Sequence, residues 1–173
     1  MVEIAENHKE YEPPSAALKS IKRFVRYTPQ KYFAGLQSIN LTNIGTLNRK
    51  SRRNKIKSRK RTVSLNDCAG WYVEKWNNEP AHIELLVDNN FDGYPAWILK
   101  IGFISAVAFS KTLFHELGHH IHKTQVPEHF EREDVADKWE RRVSRNFFLE
   151  EVLALFIINC AIQTFIRLVA KKI

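Results

Sequence analysis

Residues 114–122 read Phe114-His115-Glu116-Leu117-Gly118-His119-His120-Ile121-His122, or FHELGHHIH, and this stretch decides how the chain is read. It gathers four of the seven histidines and a glutamate into nine positions. His115 and His119 are four residues apart, so on a helix they project from one face and can bind a single metal ion. Glu116 sits beside them, where its carboxylate can reach a water in an open metal position. It would act as general base while that water attacks a carbonyl. Gly118 removes a side chain where another element could approach closely. His122 lies on roughly the same face as His115, but about 10 Å further along the helix, too far for one ion to span. His120 points elsewhere. Both are read as a solvated or hydrogen-bonded helix end.

A catalytic metal of this kind needs a third protein ligand. The spacing H-E-x-x-H-x-x-G-x-x-H is not met, because position 125 is Gln. Downstream, residues 131–139 read EREDVADKW. Glu133 and Asp137 share one helical face, so Glu133 can be the third ligand while Asp137 accepts the outer N–H of a ligand histidine and fixes its tautomer. The competing reading is a solvated acidic face together with Glu131, Asp134 and Glu140.

FHELGHHIH followed by EREDVAD resembles a gluzincin-type zincin metallopeptidase. The short gap between His119 and Glu133 is closer to the small ImmA/IrrE-like peptidases than to the large thermolysin-like enzymes. Those small proteins commonly carry E-x-x-A-N on the second helix; here Ala136 is followed by Asp137, a departure towards the thermolysin-like acid. The resemblance covers roughly residues 36 to 148. It implies an α+β, zincin-like fold: a small mixed sheet with an edge strand over the H-E-x-x-H helix, and a second, ligand-bearing helix. It also implies Zn2+ as cofactor, with His115, His119 and Glu133 as ligands, Glu116 as base and Asp137 orienting a ligand histidine. The implied reaction is hydrolysis of peptide bonds in a protein or peptide substrate. HIELLVDN, residues 82–89, is the natural candidate for the edge strand, which would bind extended substrate by strand addition. A donor to the transition-state oxyanion is also expected. His129, on the linker between the two helices, is nearest in the chain, with Tyr72, Tyr94 and Arg132 as alternatives.

The rest of the chain sets the frame. Its 173 residues suffice for one domain with a core, and 44% hydrophobic with 27% charged residues is a globular balance. Cys68 and Cys160 form no C-x-x-C pair and no disulfide framework, which favours a reducing, cytoplasmic setting. No apolar leader opens the sequence. Residues 1–15 are expected to be a flexible tail closed by Pro13 and Pro14, residues 16–148 the metallopeptidase domain and residues 149–173 an apolar C-terminal helix. Within the domain, Leu18, Ile21, Phe24 and Val25 pattern a helix interrupted at Pro29, and residues 36–42 alternate as a strand. Residues 69–76 and 81–88 flank the turn signal NNEP and pair as a hairpin. Ile83, Leu85 and Val87 then share one face, opposite His82, Glu84 and Leu86. Residues 96–109 lead into the motif helix as a buried approach. A second helix spans residues 131–148 with Val135, Trp139, Val143 and Phe147 as its apolar stripe.

The formal net charge of +8 is local. Residues 49–61 hold nine of the 27 basic residues and no acid, leaving 18 basic against 19 acidic residues elsewhere. Arg49, Lys50, Arg52, Arg53, Lys55, Lys57, Arg59, Lys60 and Arg61 are thus expected on a basic loop or solvated helix that could contact nucleic-acid phosphates or an acidic partner. The run has no interleaved aromatics, so base stacking is not indicated. A nucleic-acid- or partner-binding regulator with a structural or lost metal is therefore the alternative to a peptidase. The C-terminal helix carries a polar stripe of Asn159, Gln163, Arg167 and Lys171, which argues against a membrane span. It is read as a core helix, with peripheral membrane-surface association or a subunit contact as alternatives.

Overall fold

The computed structural model describes residues 2–48, 52–58, 61–125, 133–145 and 147–149. Among them is a four-stranded mixed sheet of strands β1 (Glu3–Glu6), β2 (Leu36–Thr42), β5 (Gly70–Val73) and β6 (Ala81–Leu86), in the order β1-β2-β6-β5. β1 and β6 both pair parallel with β2, and β5 pairs antiparallel with β6. The two parallel pairings require crossovers. Helix α1 (Ser15–Tyr27) makes the first, and the second contains a separate antiparallel hairpin of β3 (Lys55–Ser58) and β4 (Arg61–Ser64). After β6 come two short helices, α2 (Val87–Phe91) and α3 (Ala96–Leu99), then the long α4 (Gly102–Gln125). A last described helix, α5, covers residues 133–145.

The core forms where period 2 meets period 3.6. Ile39 and Leu41 of β2 and Ile83 and Leu85 of β6 are buried in one apolar cluster with Phe109, Leu113, Phe114, Leu117 and Ile121 of α4. The alternate residues of β2 and β6, Ser38, Asn40, His82 and Glu84, are half-buried. Phe24 of α1 meets Phe114 of α4 edge-on at 4.5 Å between ring centroids, and Phe147 closes on the same ring at 5.8 Å. α1 stops before Pro29, since the preceding Thr28 is held extended (φ −78°, ψ 130°).

Strand β2 occupies residues 36–42 as expected, and β5 and β6 form the expected hairpin, with Trp71 opposite Glu84 and Tyr72 opposite Ile83. Its turn places Asn77 at φ 51°, a left-handed conformation that asparagine tolerates. Three expectations are corrected. The residues read as a tail contribute β1, and Asn43 fastens the segment that follows: its Oδ1 accepts from the Lys9 N–H at 3.0 Å and its Nδ2 donates to the Lys9 carbonyl at 2.8 Å. Residues 82–89 are not an edge strand. β6 ends at Leu86 and lies between β2 and β5, so the edge beside the helices is β5. The basic run is only partly loop or helix where it is described: Arg52 is helical and Arg53 lies in a turn, but Lys55 and Lys57 fall in β3 and Arg61 in β4. Arg49, Lys50, Arg59, Lys60, His129, Arg132 and residues 150–173 of the expected C-terminal helix lie outside the described residues. Among those described, no helix is long and apolar enough to cross a membrane.

Candidate metal centre

Helix α4 carries His115, Glu116 and His119 on the turns that pass over α5, and a close helix contact sets their height. A Cβ at Gly118 would stand 2.6 Å from the carbonyl oxygen of Ala136 and 3.1 Å from its Cα. The bare glycine therefore lets the α5 backbone come against α4, and the small, fully buried Ala136 completes the approach. Glu133 and Asp137, three residues before and one residue after Ala136, are carried to the histidines. A second glycine performs the same service for the edge strand. A Cβ at Gly70 would meet the Glu84 carbonyl at 2.7 Å and the Thr112 methyl at 2.9 Å, so β5 lies directly against α4.

The result is a tight triangle of donor atoms. His115 Nε2 is 3.1 Å from Glu133 Oε2 and 3.2 Å from His119 Nε2, and the third side, His119 Nε2 to Glu133 Oε2, is 3.8 Å. Ligands held tetrahedrally at bond lengths of about 2.0–2.2 Å stand about 3.3–3.6 Å apart, which these sides bracket. Two ring nitrogens and a carboxylate oxygen, each with a lone pair, converge on one point. A cation there satisfies all three at once. His115, His119 and Glu133 thus form a group that could hold a metal ion.

The other nitrogen of His115 is also held. Nδ1 lies 3.1 Å from Asp137 Oδ1 and 3.5 Å from Glu140 Oε2. A proton on Nδ1 leaves the Nε2 lone pair free to point into the triangle, the tautomer that a metal ligand needs. The His115 and Glu133 side chains keep about one-fifth of their surface exposed, 20% and 21%, so the centre opens to solvent on one side.

Glu116 is buried at the next position of α4. Its charge is felt by Cys68: burial first, then Glu116, then Asp67 push that thiol up to about 11. The Cys68 S–H donates to the Ser64 carbonyl at 3.2 Å.

Of the two readings of His120 and His122, solvated or hydrogen-bonded, solvation is corrected, since both are buried, and hydrogen bonding holds for His120. His120 Nε2 is 3.1 Å from the Ala34 carbonyl, which can only accept, so Nε2 carries the proton. Nδ1 is then the acceptor for the Tyr72 hydroxyl at 3.3 Å. Burial lowers the His120 pKa below its ordinary value, while the bond to Ala34 opposes that shift. His120 thereby joins α4 to β5 and to the turn before β2. Of the residues considered as oxyanion donors, Tyr72 is engaged with His120 and Tyr94 is exposed. Glu140, grouped by sequence with the solvated acids, instead faces His115; its spacing of seven from Glu133 was the available signal.

Searches against protein-family models, curated proteins and solved structures returned no match for this chain.

Proposed function

We propose that the chain is a zinc-dependent metallopeptidase of zincin-like fold, hydrolysing peptide bonds of a protein substrate. The observation that carries this reading is the donor triangle of His115, His119 and Glu133, with sides of 3.1, 3.2 and 3.8 Å, on a helix that also presents Glu116. Two imidazoles and one carboxylate with room for a further ligand is the donor set of hydrolytic rather than structural zinc sites, which close with four protein ligands. Zinc bound there would supply a water of lowered pKa and an electrophile for the scissile carbonyl.

The protein's own groups do the rest. Glu116 takes the proton of the attacking water and returns it to the leaving amine. The Asp137 carboxylate, 3.1 Å from His115 Nδ1, would favour a proton there and so orient the ring towards the centre. β5 is a sheet edge among the described strands, and its outer backbone groups could align an extended peptide beside α4. The test is cleavage of unfolded protein substrates with and without added zinc. Cleavage that requires zinc and disappears in Glu116→Gln, while zinc is retained, is the expected result. Cleavage that survives in Glu116→Gln would remove the assigned base.

A second reading has its own observation. The hairpin β3–β4, which carries part of the basic run, is a sheet separate from the main one, and Arg53 and Lys55 are exposed on it and just before it. It would hold a nucleic acid or an acidic partner by salt-sensitive contacts. Arg52 is partly committed elsewhere, since its Nε donates to the Leu47 carbonyl at 2.8 Å. DNA or RNA binding that is unchanged after neutralising Arg53, Lys55 and Lys57 would exclude this reading.

A further inference from the structure

We infer that Glu140 is a positioning residue for the metal centre, a second carboxylate acting on His115 Nδ1 behind Asp137. The inference rests on the metal-site reading given above. The imidazole of His115 lies along α5 and meets three successive turns of it. Glu133 faces Nε2 at 3.1 Å, Asp137 faces Nδ1 at 3.1 Å, and Glu140 faces the same Nδ1 at 3.5 Å. At positions 133, 137 and 140 the acids occupy one stripe of the helix, whereas Asp134, off that stripe, is exposed. The side chain of Glu140 is only 20% exposed, in line with 21% for Glu133 and 24% for Asp137. A glutamate that merely solubilised the helix would extend into water instead.

Chemically, Nδ1 has one proton, and Asp137 is the nearer of the two carboxylates to it. Glu140, beyond ordinary hydrogen-bond length, acts through its charge and stands ready to accept when Asp137 turns away. Its negative charge makes Nε2 of His115 a stronger donor to a cation and keeps the ring locked through fluctuations of either acid. Two anchors on one ligand also set the order of effects. Loss of Asp137 alone is partly covered by Glu140, and loss of both leaves His115 free to rotate.

The test is the zinc dissociation constant of the full chain, measured by competition with a chromophoric chelator. The proteins compared are wild type, Glu140→Gln, Asp137→Asn and the double variant. The double variant is expected to bind zinc about 10–100-fold more weakly than wild type, with Glu140→Gln weakening Asp137→Asn by at least about tenfold. In the zinc-loaded protein, the His115 Nδ1–H resonance, assigned in 15N-labelled samples, is expected to move upfield in Glu140→Gln. A residue that only supports the fold would leave this resonance in place. Thermal unfolding of the metal-free variants reports whether each still folds, and the resonance is read only from chains that do. If Glu140→Gln leaves both affinity and resonance unchanged, in either background, Glu140 has no such role. If wild type itself binds no zinc, it is the metal-site reading that fails.

Discussion

Gly118→Ala is the most informative single change, because it adds one methyl group at the point that fixes the site. The new Cβ would stand 2.6 Å from the Ala136 carbonyl oxygen, with the Ala136 Cα and carbonyl carbon at 3.1 and 3.2 Å. These are backbone atoms of another helix, so no side chain can swing aside. Against a comfortable separation of about 3.5 Å, the shortfall at the oxygen is about 0.9 Å. Overpacking of this kind costs about 1–3 kcal/mol, and the gain in helix propensity from glycine to alanine returns about 1 kcal/mol. The expected net loss of stability is therefore modest, about 0–2 kcal/mol. The loss at the metal centre is not modest. Metal–ligand distances tolerate about ±0.2 Å, and a shift several times larger moves Glu133 and Asp137 away from His115 and His119 together. Zinc affinity should fall by at least about tenfold. Gly102→Ala is the control, since a Cβ there has nothing within 4 Å. Chemical denaturation and chelator competition on both variants decide the matter. A Gly118→Ala protein that binds zinc as tightly as Gly102→Ala would refute the idea that this contact holds the two ligand-bearing helices in register.

Other consequences are open to simple measurement. The Glu84 carboxyl has its pKa raised by burial, opposed by the hydrogen bond from Asn40 and by His82. A raised carboxyl pKa stabilises the fold fully below the unfolded value of about 4.3 and loses that contribution as pH rises through the folded value. Glu84→Gln, which cannot ionise, should therefore be more stable than wild type at pH 7, with the difference vanishing near pH 4. Equal stability at both pH values in denaturant titrations would contradict the assignment. Phe24 is buried against Phe33, Phe114 and Phe147, so Phe24→Ala should cost about 3–5 kcal/mol by chemical denaturation. A cost under about 1 kcal/mol would mean that α1 is not seated on α4 as described.

What the sequence made legible was whatever local periodicity and local chemistry encode. The alternation in residues 36–42 and the turn signal at Asn77 led directly to β2 and to the β5–β6 hairpin. The i, i+4 pairs His115/His119 and Glu133/Asp137 pointed to one another because donor chemistry restricts what can lie opposite two histidines. Non-local pairing was not legible. Ile83 and Leu85 alternate with His82 and Glu84 in the same way on an edge or an interior strand, and only the partners of β6 decide which it is. Glu3–Glu6 has one strong strand former, Ile4, and its place follows from pairing with β2 and from Asn43 at the Lys9 backbone, 34 residues away. His120 looked like a helix-end residue because its partners, Tyr72 and Ala34, stand 48 and 86 residues distant. Gly118 carried a partial signal: it announced a close approach, but not that Ala136 would make it.

The central claim is that His115, His119 and Glu133 hold one zinc ion for which Glu116 is the base rather than a ligand. Zinc titration of wild type, Glu133→Ala and Glu116→Gln under identical conditions tests this most directly. One equivalent bound by wild type and by Glu116→Gln, with affinity reduced at least about tenfold in Glu133→Ala, is the expected result. Undiminished affinity in Glu133→Ala, or no zinc bound by wild type, would contradict the account.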